Sequence, residues 1–532
     1  MAKEYTQHSK DSEKYSPADG TFEEAVLKSL DRIKDSTPLS AFGETSVAEN
    51  TPQISIRFPY NILPPDLGQV LTNKAGSSVT YANAQASVTC SSTAESFSQI
   101  RSIDTVRYAS GQGVEFLGTC GFTAGVANSS QVFGLGDDDE GLYFGYNGAD
   151  FGICRKAYGS LEIKSLTITA GESTGAGNIT ITLDDTAVTV AIAENDTIAE
   201  VCAAIVAASA DFYNAGRGWE VHTDDNVTVE FVSLVAENAT GTFSFADTDS
   251  TGVTAGAFSE LVAGVAPTDT WVLQTAWNVD KMDGTGTDAD NPSGQTLDPT
   301  KGNVYKIQYQ YLGYGEQDFF IEDYDTGKLQ LVHKLQYTNT NIVPWCIDPT
   351  FHINMIAKTE SGYSGGALTM KTASMAGFIQ GKESGYGIRR SASALKTATT
   401  SEAVFLIVAS NHDFNSLRNK TVVYPDFLNF ANEGSKEVTI NLYKNPTSIT
   451  GGVALTDVQS NVSVMKYGST GTTVVGGALL LTFALAGGAS EVVDLKALNA
   501  KIKPFDRVVF TQTGTSGGLG ANTIGLSWIE RY

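Results

Sequence analysis

The sequence predicts a mainly β protein of several antiparallel β-sandwiches, with a small α+β unit inserted in one of them and a short N-terminal helix. Three observations predict it. Apolar and polar residues alternate in short runs separated by Gly, Ser and Asn, which is the period of half-buried strands. The composition, 53 glycines and only 18% charged residues in 532 positions, suits a chain of many tight turns and few long amphipathic helices. The run of strands ending near residues 151–155 resumes only at residues 270–277, with a self-contained stretch between. Each half alone has too few strands to cover its apolar face, so the two halves are expected to pair.

Residues 1–50 are polar and contain one helix signal. Thr21 and Glu24 have capping-box spacing, Glu23 adds negative charge at the start, and Lys28, Arg32 and Lys34 follow toward the end. Phe22, Val26, Leu30 and Ile33 recur at helical spacing as a narrow stripe, and a helix this short is marginal unless that stripe is covered. The segment is therefore expected to anchor the chain to a partner. A split sandwich is expected over residues 51–160 plus 268–380. Residues 132–135, 142–146 and 151–155 form a meander, joined by the acidic turn Asp137, Asp138, Asp139, Glu140 and by an Asn147-Gly148 hairpin signal. Strands at 304–311, 318–322 and 328–333 follow, the last two separated by a turn at Asp325-Thr326-Gly327.

Residues 161–267 read as the inserted α+β domain. Strands at 179–183 and 188–192 flank Asp184-Asp185, and Thr197 with Glu200 opens a helix whose buried face is Ile198, Val201, Cys202, Ile205 and Val206. Strands at 219–222, 227–232 and 242–245 would close the unit. Placed at a loop tip, it is expected to be exposed and removable without harm to its host. Residues 381–532 alternate again at 403–410, 438–443, 462–467, 478–485, 507–512 and 522–530, as a second sandwich.

Charge and rare residues exclude several classes of function. A net charge of -24 argues against nucleic acid as a partner, because phosphate binding needs clustered Lys and Arg. No apolar stretch approaches the ~20 residues of a membrane span, and the first residues lack the pattern of a secretion signal, so synthesis in a cytoplasm is expected. Five widely spaced cysteines show no metal-ligand spacing and read as buried, reduced thiols. Five histidines form no zinc or triad pattern, and the turn-like Asn411-His412-Asp413 is the one place where His and Asp adjoin. No cofactor is called for. Asp280, Asp283, Asp288 and Asp290 line a Gly-rich loop that could hold calcium, but the loop lacks EF-hand spacing, and both acidic clusters read more simply as solvated turns. Tyr305, Tyr309, Tyr311 and Tyr314 lie around one hairpin, some facing outward, where exposed aromatics would stack on sugar rings or on a sister subunit.

Two resemblances add to these readings. Residues 179–208, with NDTIAEVCAAI, resemble the small repeat of flagellar hook-associated proteins and some phage tail proteins, which implies an exposed decoration domain. Residues 134–155 (GLGD through GLYFGYNG to FGICR) and 277–322 (WNVDKMDGTG through LDPTKGNVYKIQYQYLGYG) resemble fibre or spike-type structural proteins of tailed phages and large DNA viruses. The sandwich halves also look like jelly-roll or lectin-like folds, which suggests glycan contact by analogy alone. These resemblances imply a non-enzymatic structural protein on a virion, a homotrimer contacting other capsid or tail proteins and host surface glycans. A non-viral adhesin or carbohydrate-binding protein is the alternative, and a glycan-degrading virion enzyme a third class. The enzyme would need two carboxylates about 5–9.5 Å apart, for which Glu316, Asp318, Glu322 and Asp323 are the candidates.

Overall fold

The computed structural model describes residues 49–62, 68–285, 291–382, 387–498, 501–515 and 520–532. The stripe of Phe22, Val26, Leu30 and Ile33, and the acids Asp288 and Asp290, lie outside the described residues. The fold is mainly β, and every strand pairing described is antiparallel.

Two sheets face each other across the first core. One runs Asn50–Arg57, Ser374–Gln380, Val114–Cys120, Asn303–Tyr309, Gln317–Glu322, Leu329–Leu335. The other runs Thr268–Leu273, Asp150–Ala157, Gly141–Asn147, Ser129–Gly136, Phe351–Thr359, Phe97–Val106, Gly68–Asn73. Strands from both sides of the interruption supply each sheet, because Thr268–Leu273 pairs with Asp150–Ala157 and Asn303–Tyr309 with Val114–Cys120. Between the sheets Phe116, Phe133, Phe144, Tyr305 and Phe319 make edge-to-face and tilted ring contacts, the geometry that aromatic quadrupoles favour.

The tyrosines at 305 and 309 are corrected by this packing. Both are fully buried, since they share the core-facing parity of Ile307 on a central strand. Tyr309 donates to Pro349 O at 2.6 Å, Tyr311 to Cys346 O at 2.8 Å and Tyr314 to Ile342 O at 2.9 Å. The group holds the 310–315 turn against the 337–346 loop, and Tyr305 and Tyr309 offer nothing to a ligand.

The inserted stretch has its own core, including Leu166, Ile181, Trp219, Val229 and Phe231. Its helix, Ile198–Ala207, carries the capping box read from sequence: Thr197 accepts from the Glu200 N–H, and Glu200 accepts from the Thr197 N–H. Ser160 and Val265 exchange backbone hydrogen bonds, so its ends meet. It is not an exposed appendage, however. The seven-stranded sheet is apolar on its outer face too, where Leu71, Phe97, Val132, Tyr143, Cys154 and Ile356 pack with Leu234 and Tyr213 of the insert. A sheet buried on both faces cannot show clean alternation, and Ser129–Gly136 and Gly141–Asn147 are buried at nearly every position.

The C-terminal region builds two further sheets around Phe405, Leu428, Phe510, Leu526 and Trp528. One is ordered Ile388–Thr397, Ala521–Arg531, Val422–Asn432, Ser490–Asp494. The other is ordered Thr456–Asp457, Met465–Gly468, Ala403–Ser410, Arg507–Gly514, Val438–Lys444, Ala478–Leu485. All five cysteines are free and buried, as small hydrophobes. No helix among the described residues is long and apolar enough to cross a membrane.

Candidate functional site

The acidic turn is the structural centre of the chain. Gly136 and Gly141 close the hairpin, and the four residues between them, Asp137 to Glu140, are each at most 4% exposed. The expectation of a solvated turn is overturned. Four carboxylates in so small a buried volume require counter-charges; the cations come from the host sandwich and the C-terminal region, while the insert adds a fifth carboxylate and a backbone donor. From the host sandwich, Arg101 meets Asp137 at 3.4 Å, and Lys156 and Lys358 meet Asp138 at 3.4 and 3.1 Å. From the insert, Glu220 takes the other arm of Arg101 at 2.5 Å, and the Ala236 N–H donates to Asp138 at 3.2 Å. From the C-terminal region, Arg418 meets Asp137 at 2.8 Å and Asp139 at 3.9 Å, and Lys420 lies 3.9 Å from Glu140. Glu140 also accepts from the N–H groups of Ile347 and Asp348 at 2.7 and 3.2 Å.

These contacts act differently along the turn: burial, against Lys420, pushes the Glu140 carboxyl up, whereas Asp138 is held down by Lys156 and Lys358 against its burial. Burial alone would push the Asp137 carboxyl up, but Arg418 and Arg101 outweigh it and hold the group well below the usual range. Glu220 is likewise held at about 2, Arg101 outweighing burial. Arg418 is kept charged against burial by Asp137 and Asp139.

The C-terminal region adds further clasps. Lys501 and Lys503 bind Asp104 at 3.3 and 2.5 Å, and Arg507 donates to Asp224 O at 3.1 Å and Asn226 Oδ1 at 2.7 Å. His412 Nδ1 faces Glu230 of the insert, and Phe505 stacks on both His222 and His412. One signal in the sequence could have exposed this arrangement. Residues 1–380 hold 21 Lys and Arg against 48 Asp and Glu, whereas residues 381–532 hold 14 against 11. The acid excess of one part meets the cations of the other.

His352 gives the junction a measurable pH signature. Its Nδ1–H lies 2.8 Å from Ser102 O, leaving Nε2 toward Asp137 at 3.9 Å. Burial, with Arg101 and Arg418 nearby and despite Asp137, lowers its pKa to about 4. The unfolded chain therefore binds this proton first, and stability contributed by the neutral ring is present above about pH 6.5 and lost as pH falls toward 4. Asp318, raised to about 7 by burial, acts in the opposite direction, so the comparison is made against a variant that keeps it. The stability gap between wild type and His352→Gln should narrow by about 2 kcal/mol between pH 7.5 and pH 5. Amide exchange of the Phe351–Thr359 strand at the two pH values, corrected for intrinsic rates, checks this, and a constant gap would show that the ring titrates normally.

The other candidate residues are placed as follows. Asp280 is fully buried and accepts from the backbone N–H groups of Met282 and Ser293 at 2.9 and 3.0 Å. Asp283 is exposed and accepts from Thr285. The calcium arrangement is thus not formed by its two described members, because Asp280 is committed to its own loop. No three His, Cys, Asp or Glu side chains among the described residues are grouped to hold a metal ion. Glu316 and Asp318 share Lys334 at 2.6 and 3.5 Å and hydrogen-bond one another, leaving no room between them for a glycosidic bond. Asp323 caps the turn at Asp325 and Thr326.

No protein-family model and no curated protein matches the chain. Among solved structures it is similar to one reported with endo-acting O-glycanases of the human gut microbiota, at 8% identity and a TM-score of 0.28 over 63% of this chain and 100% of that one. It is similar to arcelin-5, a lectin-like defense protein from Phaseolus vulgaris, at 9% identity and a TM-score of 0.21 over 63% and 100%. It is also similar to a chain of Sulfolobus Turreted Icosahedral Virus, at 8% identity and a TM-score of 0.16 over 93% and 98%. At such scores function is argued from this chain's own residues.

Proposed function

We propose that this chain is a structural protein of a virion surface, of the fibre, spike or tail-associated kind, serving particle architecture and host attachment without catalysing a reaction. The observation that carries this reading is the junction. Buried ion pairs contribute little net stability compared with apolar packing, and their best-attested use is to fix one arrangement of parts. A chain that places Asp137, Asp138, Asp139 and Glu140 where three β regions meet gains a fixed geometry, which a projecting particle component needs. The two motifs at residues 134–155 and 277–322, which resemble fibre and spike proteins, support the same reading. The Phe22, Val26, Leu30 and Ile33 stripe is the proposed anchor to capsid or tail proteins. A homotrimer is the proposed assembly, with the exposed aliphatics Leu395 and Val492 available for contact between copies.

Particles purified from cells producing the chain test this, imaged at low resolution with the full-length protein and with residues 1–40 deleted. Full-length protein should appear at three-fold positions on the particle surface, and the shortened protein should stay folded, soluble and unincorporated. Full-length protein missing from particles sinks the virion reading, and unchanged incorporation of the shortened form sinks the anchor.

A further inference from the structure

A cleft of about 590 Å³ lies on the host sandwich, unlike the acidic turn in composition. Its volume is that of small-molecule sites, which run from about 300 to 1,000 Å³. Its floor is the end of the Val114–Cys120 strand with Gly121 and Phe122. One wall is the hairpin edge carrying Gln85, Thr369 and Lys371, and the other is the 300–304 segment. Two contacts hold the walls: Gly121 and Lys371 exchange backbone hydrogen bonds at 2.9 Å, and the Phe122 N–H donates to Pro299 O at 2.9 Å.

The polar side chains of the lining are hydroxyls, amides and one ammonium, beside the apolar Phe122, Val304 and Ala373. In a chain of 59 acids against 35 Lys and Arg, no aspartate or glutamate lines this cleft, and Lys371 is its one charged lining residue among those described. Several polar groups are unspent. The side chains of Gln85 and Lys371 meet no partner among the described residues. Thr119 Oγ1 accepts from the N–H groups of Ala373 and Ser374, at 3.1 and 3.3 Å, which leaves its own O–H to donate. Thr300 donates to Asp298 at 2.6 Å, which leaves its oxygen to accept. Donors and acceptors interleaved in this way match vicinal hydroxyls, each of which both donates and accepts. A phosphate would instead need several converging donors or cations. Val304 and Ala373 offer apolar contact for the C–H face of a ring.

We infer that this cleft binds a saccharide residue bearing a carboxylate, with the Lys371 ammonium taking the carboxylate and Gln85, Thr119 and Thr300 taking ring hydroxyls. The biological setting, attachment to surface glycans, rests on the proposed virion-surface role, but the binding itself does not. Gly302 supplies a clean block: it lines the cleft outside the left-handed region of backbone conformation, and a Cβ added there would meet nothing within 4 Å.

The test uses the full-length purified protein and three probes: methyl glucuronide, the methyl glycoside of N-acetylneuraminic acid, and neutral methyl glucoside, followed by ligand-observed NMR. At least one acidic glycoside should bind saturably, with a dissociation constant on the order of millimolar, and at least about tenfold more tightly than the glucoside. Which acid binds names the source. Gly302→Trp and, independently, Ala373→Trp should abolish binding, and Lys371→Gln should remove the preference for the acid. No saturable binding of either acid overturns the inference, as does equal binding of the neutral glycoside or full binding by both tryptophan variants. Because no particle is involved, failure here leaves the particle-imaging result standing, and failure there leaves this one.

Discussion

Arg418→Met should destabilise the chain by about 3–5 kcal/mol, the range for removing one partner of a buried pair. The residue bridges Asp137 and Asp139, both at most 4% exposed, and its loss leaves Arg101 as the one Arg or Lys paired with the Asp137 carboxylate among the described residues. Lys74→Met serves as the control, because its partner Glu95 is 67% exposed and such a pair is worth at most about 1 kcal/mol. Several β regions do not melt as one two-state unit, so the effect should show first as local opening. Amide exchange should accelerate around residues 137–140 and 412–420 while the core strand Asn303–Tyr309 stays protected. Asp137→Asn in the Arg418→Met background should recover part of the loss, since it removes the charge left unpaired. If Arg418→Met melts like Lys74→Met, the junction does not hold the regions together.

What was legible in the sequence follows from the range over which each signal acts. Local signals were read well. The Thr197 and Glu200 capping box starts the helix where expected, and the strands Ala403–Ser410 and Ala478–Leu485 have the bounds expected of them. The hairpin at Asn147 was placed correctly with a different turn. Asn147 pairs with Asp150, so Gly148 and Ala149 are the central residues, and Gly148 at φ 60 takes the first position of a type II′ turn. Several strands escaped the pattern, among them Ile163–Ala170, Ile388–Thr397 and Ser490–Asp494, and two show why. Val422–Asn432 contains Pro425, which argues against a strand, yet the chain accommodates it at a bulge between Pro425 and Phe427. Phe351–Thr359 is central in its sheet, where Asn354 is buried and bonds Gln99 and Gly136, so a polar residue sits where alternation alone would not place a core.

The junction was least legible because its parts lie far apart in the chain. A run of four acids is indistinguishable locally from a solvated loop, and its partners Arg101, Glu220, Lys358 and Arg418 are 36 to 281 residues away from the acids or Arg101 that they meet. The strands on either side did carry a clue. Val132, Phe133 and Leu135, and Leu142, Tyr143 and Phe144, are apolar at both parities, which marks a hairpin covered on both faces and places its turn inside.

Excision of residues 161–267, with Ser160 joined to Thr268 through a short Gly/Ser linker, should yield protein that aggregates. The ends of the insert meet at Ser160 and Val265, so chain closure is not the obstacle. The obstacle is what the insert covers. Leu71, Phe97, Val132, Tyr143 and Ile356 would lose Leu234 and Tyr213 and face water as one contiguous patch, of the kind soluble monomers rarely expose beyond a few hundred Å². Arg101 would lose Glu220, Asp138 would lose the Ala236 N–H, and Arg507 would lose both Asp224 O and Asn226. The dependence should run in one direction. The insert has its own core of Leu166, Ile181, Trp219 and Phe231, so residues 161–267 expressed alone should stay soluble and melt cooperatively, while the remainder binds hydrophobic dye and precipitates. Soluble remainder with an unchanged melting temperature would show instead that the outer face tolerates water and that the insert is a removable decoration.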